Sequence, residues 1–250
     1  MNHDFEDVEI KSNAIEILEN QLKRKRKPSM VGTGGMCDPY IPIEKDLLFT
    51  RRTLELIEMY GYGIAIQTKS ADILRDLDVL KRINEKTKCV VQMTLTTYDE
   101  QLCSILEPNV SSTKERVEVL NIMKQEGIPT VVWLCPILPF INDTEDNLYG
   151  ILNYCITAQI KGILCFGFGT TMRDGSREYF YSKLDEHFKE LKQKYIETYR
   201  NSYECLSPNN DKLYSIFVEE CKKNNIMYNT SEIFSYLKEF EQKSSQMSLF

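Results

Sequence analysis

Several strand-end segments of this chain carry the residue types of a ligand cradle. Val31-Gly-Thr-Gly-Gly-Met-Cys-Asp-Pro-Tyr40 runs from a strand into a turn holding Gly32, Gly34 and Gly35, whose missing side chains let a ligand approach the backbone. Asp38-Pro39 stiffens the exit from that turn. A second strand ends in Thr68-Lys-Ser70, one cation between two hydroxyls, and a third in Thr94, Thr96 and Thr97. Cys135-Pro-Ile-Leu-Pro-Phe-Ile-Asn-Asp143 and Gly167-Phe-Gly-Thr-Thr-Met-Arg173 follow the next two. Taken singly, a glycine pair is a tight turn and a lone lysine a solvated one. Their recurrence at successive strand ends points to one site, because loops converge at the C-terminal ends of parallel strands.

Metal and nucleophile chemistry is bounded by the same sequence. The eight cysteines are Cys37, Cys89, Cys103, Cys135, Cys155, Cys165, Cys205 and Cys221, and no two stand in a CxxC spacing. Most lie in apolar stretches, which suits buried thiols of a reducing compartment. With His3 and His187 the only histidines, a histidine-centred triad or a multi-histidine zinc site is disfavoured.

The elements that must carry these loops alternate in a regular rhythm. Ala14, Ile15, Leu18 and Leu22 stand at helical spacing over residues 11–26, and residues 30–33 predict a short strand. Residues 50–60 predict a helix stopped at Gly61, 62–68 a strand, 70–86 a helical stretch and 89–96 a β-branched strand. Ser112 with Glu115 forms a capping box for a helix ending before Gly127. Residues 129–135 predict a buried strand, Asn142 with Glu145 a helix cap, and 162–168 the last strand. Strand–helix alternation implies parallel strands with helical crossovers. The expected fold over residues 1–175 is α/β, a partial TIM-like barrel or an open parallel sheet, since five strands are too few to close an eight-stranded barrel. Residues 176–250 read as a strand-free helical extension, with helices over 176–200, 211–224 and 231–243.

A net charge of −6 argues against a generally basic nucleic-acid coat, and 42% apolar residues suffice for a substantial core. The longest apolar run, 131–141, is too short for a membrane span and holds two prolines. The acidic N-terminus lacks an apolar signal core, so a cytoplasmic protein without membrane association is expected.

Several of these segments, in this order, resemble the spore photoproduct lyase-like (DNA repair photolyase-like) branch of the radical S-adenosylmethionine (SAM) enzymes. The resemblance rests on Gly32-Thr-Gly-Gly-Met-Cys-Asp-Pro-Tyr40, Thr68-Lys-Ser70, Glu107-Pro-Asn109, Pro136-Ile-Leu-Pro-Phe-Ile-Asn-Asp143 and Thr171-Met-Arg-Asp174. It continues through Arg177-Glu-Tyr-Phe-Tyr181, Asn201-Ser-Tyr-Glu-Cys205 and Gln246-Met-Ser-Leu-Phe250. It implies a (β/α)6 partial barrel whose CxxxCxxC loop binds a [4Fe–4S] cluster. The cluster chelates SAM, and reductive cleavage yields a 5′-deoxyadenosyl radical. Carried over by position, the backbone of Gly34, Gly35 and Met36 would hold the methionyl amine, flanked by Cys37 and Asp38. Lys69 and Ser70 would bond SAM polar groups, Thr94 would approach the ribose, and Tyr40 would line the substrate side.

The chain departs from that pattern in having no CxxxCxxC. The match begins just downstream of where that loop and the first strand are expected. A split or mis-started gene, a deliberate truncation, or a degenerate homolog would each account for it. The expectation is a SAM platform without cluster ligands, inactive in radical chemistry by itself. The alternatives are a non-catalytic subunit that completes a barrel with a separate cluster-bearing polypeptide, or an α/β enzyme using the same loops for a phosphorylated ligand. Nucleic acid is the substrate class the resemblance implies.

Two peripheral signals remain. Lys23-Arg-Lys-Arg-Lys27 reads either as a phosphate-backbone contact or as a solvated helix end set against its dipole. The tail Gln246-Met-Ser-Leu-Phe250 resembles the bacterial sliding-clamp-binding pentapeptide, with Gln246, Leu249 and Phe250 as anchors. A tail folded on its own domain is the competing reading.

Overall fold

The computed structural model of the chain describes residues 9–173 and 175–243. An amphipathic helix, α1 (Ala14–Arg24), leads into β1 (Met30–Thr33), and a short α2 (Glu44–Leu47) precedes α3 (Phe49–Met59). Gly61, at φ +68°, ends α3 and releases the chain into β2 (Gly63–Thr68). A 3₁₀ turn over Ala71–Asp76 runs into α4 (Leu77–Lys86), then β3 (Cys89–Thr94) and α5 (Glu100–Leu106). The Ser112–Glu115 capping box forms as predicted and starts α6 (Thr113–Gln125). Next come β4 (Thr130–Trp133), α7 (Glu145–Thr157), β5 (Gly162–Leu164) and β6 (Gly169–Thr171). The chain continues through α8 (Ser176–His187), α9 (Leu191–Tyr199), β7 (Glu204–Leu206), α10 (Asn210–Lys223) and α11 (Thr230–Lys238).

Strands β1 to β5 form one parallel sheet in sequential order. Sequential neighbours with right-handed crossovers put every crossover helix on one face. That face carries the main core, in which Leu54, Leu80, Val119, Ile151 and Phe217 from α3, α4, α6, α7 and α10 pack against Ile64, Ile66, Val91 and Val132. Burial on both faces explains why β2 and β3 read as nearly continuous apolar runs. The other face is left to α11, whose Ile233 and Leu237 pack on Ala65, Val90, Val131 and Leu164 and which touches both β1 and β5. Beside β5, Met227 makes a parallel bridge to Gly162, its N–H donating to Lys161 O and its carbonyl oxygen accepting from Ile163 N, so residues after α10 take up a sixth sheet position in rudiment.

Two expectations are corrected. Residues after 175 are not strand-free, because β7 pairs antiparallel with β6, Gly169 to Leu206 and Thr171 to Glu204. This pair carries α8 and α9 on a third, aromatic-rich core of Met172, Leu184, Tyr195 and Cys205. The cap of α7 is Thr144, whose hydroxyl accepts from Asn147 N, and not Asn142. Asn142 is drawn inward, its Oδ1 accepting Leu138 N at 2.6 Å while its Nδ2 donates to Thr96 O at 2.8 Å.

Candidate functional site

The turn after β1 is held by one carboxylate. Asp38 Oδ1 accepts from Tyr40 N at 2.9 Å and from the Thr68 hydroxyl at 2.7 Å, and Oδ2 accepts from Lys69 N at 2.7 Å. The Thr68 hydroxyl in turn accepts from Ser70 N at 2.9 Å. Asp38 therefore ties the glycine turn to the C-terminal end of β2, and its acceptor capacity serves the fold. Gly34 belongs to the same knot. Its φ is +94°, and a Cβ built there would stand 1.9 Å from the Gln67 carbonyl oxygen, so only glycine lets the turn cross β2 this closely. Gly32 and Gly35 differ, since a Cβ at either meets nothing within 4 Å.

That open space is part of a cavity of about 720 Å³ on the α11 face of the sheet, in the size range of small-molecule sites. Gly34, Gly35, Met36 and Cys37 line one rim, and Met36 and Cys37 stand exposed there. Gln67 and Gln92, direct partners in the β2–β3 register, form the polar floor. Trp133 and Phe234 form the wall, and the Trp133 indole N–H donates to Gln92 Oε1 at 3.0 Å. Of the residues expected from the sequence, Gly34, Gly35, Met36 and Cys37 come together at the cavity. Gln67, Gln92, Trp133 and Phe234 were not anticipated. Their signal was present, because a glutamine at alternate positions of two otherwise apolar strands marks one face as wet.

Lys69, Ser70 and Thr94 stand behind the rim rather than on the cavity surface. The Lys69 ammonium pairs with Glu107 Oε1, and Glu107 Oε2 accepts from Arg116 Nη1 at 2.8 Å and from the Thr96 hydroxyl at 3.2 Å. Arg116 is fully buried; it also donates to Ser111 O and Thr94 O, while its Nη2 has no partner among the described residues. Burial pushes the Glu107 carboxyl up, but Lys69 and Arg116 outweigh it and hold it below the ordinary carboxylate value. Ser70 caps the 3₁₀ turn by accepting Asp72 N at 3.2 Å. Thr94 is buried with its carbonyl on Arg116.

Tyr40 does not face a ligand. It is 4% exposed, its hydroxyl donates to Asp76 Oδ2 at 3.1 Å, and the Arg75 guanidinium lies over its ring. In place of the expected substrate-lining role the structure gives it a core one, its ring held inside by the Asp76 bond and the Arg75 guanidinium. Asp143 is likewise internal, its carboxylate accepting the Ser207 hydroxyl, and burial pushes it above the usual carboxylate range. In the basic run, Lys23 pairs with Glu19 at 2.8 Å and the other four side chains are exposed. Gln246, Leu249 and Phe250 lie outside the described residues.

The thiols do not fit an iron–sulfur cluster. Cys37 alone is exposed, Cys135 is half-buried, and the other six are buried. Burial pushes Cys135 up to about 11 and Cys165 and Cys221 up to about 12, which disfavours the thiolates a cluster requires. Among the described residues, no three His, Cys, Asp or Glu side chains come together as a metal site. No helix among them is long and apolar enough to cross a membrane.

No family model matches the chain. It is 25% identical over 194 residues to an uncharacterised protein of Mycobacterium tuberculosis, covering 77% of this chain and 56% of that protein. An uncharacterised Methanocaldococcus jannaschii protein is 30% identical over 130 residues, 52% of this chain and 49% of its own length. An uncharacterised protein of Acidianus two-tailed virus is 28% identical over 180 residues, 71% and 58% of the two lengths. The chain spans about half the length of these relatives. Its fold is also that of a protein solved with SAM. Streptococcus suis SuiB, in a crystal structure bound to S-adenosylmethionine, superposes with a TM-score of 0.52 at 10% identity over 91% of this chain and 45% of that one. At that identity the likeness is one of fold. It agrees with the five-stranded parallel α/β sheet and leaves the closure of a barrel open.

Proposed function

We propose that this chain is the SAM-binding part of a radical SAM protein of the photoproduct lyase-like group. The observation that carries the reading is the cavity rim. A glycine turn is knotted by Asp38 to the end of β2, while Gly32 and Gly35 keep the space above the sheet empty. In this reading Gly34, Gly35 and Met36 present backbone to the methionyl group, with Cys37 beside it. Lys69, anchored on Glu107, supports the rim from behind together with Ser70 and Thr94. Bound there, SAM supplies an electrophilic sulfonium attached to a nucleoside. The cysteines of this chain do not fit the [4Fe–4S] cluster, so in this reading its ligands come from outside these residues, and no step is derived through it.

Calorimetric titration with SAM tests the reading. Saturable binding is expected, reduced at least tenfold by Gly35→Val, a residue the fold does not need small. Binding that Gly35→Val leaves unchanged would contradict it. A nucleic-acid substrate and a sliding-clamp contact through Gln246, Leu249 and Phe250 belong to the same proposal. Clamp binding would be lost on deleting the last five residues.

One observation favours a second reading, an interaction subunit that completes a barrel with a separate polypeptide. The outer edge of β1 has no strand partner among the described residues, and such an edge accepts a further strand. Co-purification of a cluster-bearing partner, abolished by Val31→Pro, would support it. Retention of that partner by the variant would count against it.

A further inference from the structure

We infer that residues 239–243 are a strap that seats α11 on the sheet through a charge latch between Lys88 and Glu241. Release of the latch opens the cavity on its α11 side. The inference concerns the free chain and does not rest on SAM binding there.

α11 is a slight cover for a large face. Its nine residues bury only Ile233 and Leu237, whereas α3, α4, α6, α7 and α10 together pack the opposite face. Phe234, Leu237 and Lys238 line the cavity, so this wall exists only while α11 is seated. The start of α11 is fixed locally, because the Asn229 side chain accepts from Ser231 N and Glu232 N. Its other end relies on the strap. The chain leaves the helix extended at Glu239, Lys243 N donates to Lys86 O at 3.0 Å, and the Lys243 ammonium donates to Asn84 O. The strap thus runs from α11 to the last turn of α4, past the starting end of β3.

Lys88, one residue before β3, lies beneath it and is 2% exposed. Its ammonium donates to Tyr236 O at 3.0 Å, pairs with Glu241 at 2.8 Å and stands 3.9 Å from the centroid of the Tyr236 ring. All three partners belong to α11 or to the strap. A buried ion pair roughly offsets the hydration that its charges give up, so completeness of pairing holds the closed arrangement and not a large net energy. Unseating α11 returns the ammonium to water. A lysine here makes a latch where an apolar side chain would make a permanent seal.

Hydrogen exchange on the intact chain tests the latch, with Trp133 emission as a second readout. Trp133 is the only tryptophan, and the Phe234 ring stands edge-on to it at 6.2 Å between centroids, so unseating α11 exposes the indole. Glu241→Ala removes a half-exposed side chain and leaves the Lys88 charge buried without its counter-ion. The amides of residues 234–238 are expected to exchange roughly tenfold to a hundredfold faster, the worth of one hydrogen bond to a charged group, and Trp133 emission to shift to the red. The amides of α6 and α7 are expected to keep their rates. Adding Lys88→Met removes the stranded charge and is expected to restore both slow exchange in α11 and the original emission. A double variant as loose as Glu241→Ala, or looser, would mean that Lys88 merely fills space, and overturns the inference. Unchanged α11 exchange and emission in Glu241→Ala, or an equal acceleration in α6 and α7, overturns it as well.

Discussion

Gly34 and Gly35 are adjacent, yet the structure gives them opposite reasons for being glycine, and substituting each with alanine separates the two. At Gly34 an alanine meets two costs. A non-glycine residue at positive φ costs about 1–2 kcal/mol. Its Cβ would also sit 1.9 Å from the backbone oxygen of Gln67, which cannot rotate away, so the turn must lift off β2. Lifting it breaks one or more of the three hydrogen bonds that Asp38 accepts, each worth about 1.5 kcal/mol or more as a bond to a charged group. The sum is about 3–5 kcal/mol, which in a chain of this size lowers the melting temperature by roughly 6–20 °C. Gly35→Ala meets no neighbour and is expected to change stability by less than about 1 kcal/mol, from the smaller entropy of its unfolded chain. Thermal unfolding followed by circular dichroism, with urea titration alongside, measures both. Equal melting temperatures for the two variants would refute the assignment of Gly34 to the fold and Gly35 to the ligand.

Other consequences can be measured on the same preparation. Glu107→Gln strips Arg116 of its carboxylate and is expected to cost about 3 kcal/mol at neutral pH. Because the folded Glu107 carboxyl titrates below its ordinary 4.5, its contribution is complete above that pH and is lost as pH falls further. The stability gap between wild type and variant should therefore narrow on acidification, and a pH-independent gap would contradict the pairing. With the other seven thiols buried or half-buried, a disulfide reagent should modify a single thiol rapidly, Cys37, and SAM should slow it. Two or more fast thiols would show the core to be looser than described. Tyr40→Phe removes the bond to Asp76 and should cost about 1–2 kcal/mol while leaving SAM affinity unchanged. An affinity loss would restore Tyr40 to the ligand surface.

Much of the sheet could be read from the sequence because β2 and β3 are long β-branched runs closed by polar residues, and because Gly61 and the Ser112–Glu115 box punctuate the helices between them. β7 escaped notice since Glu204-Cys-Leu206 is three residues long and becomes a strand only by pairing with β6. The α7 cap was misassigned because Asn142 and Thr144 are both good N-caps, and a distant partner, Thr96 O, claims the asparagine. Glycine spacing located the rim but could not say which glycine is forced by a neighbouring strand, since the Gln67 carbonyl that decides it lies on another element. Lys69 read as a free cation for the same reason. Its partner Glu107 is far along the chain, and the Arg116 that completes the network looks in sequence like an ordinary polar residue of a helix.

If the β1 turn and the β2 rim together hold SAM, hydrogen exchange on the intact chain should change there when SAM is added. Slowed exchange is expected at the amides of residues 33–38 and 67–70 and nowhere else. Saturating SAM that protects only the α8–α9 region, or no amide at all, would contradict it.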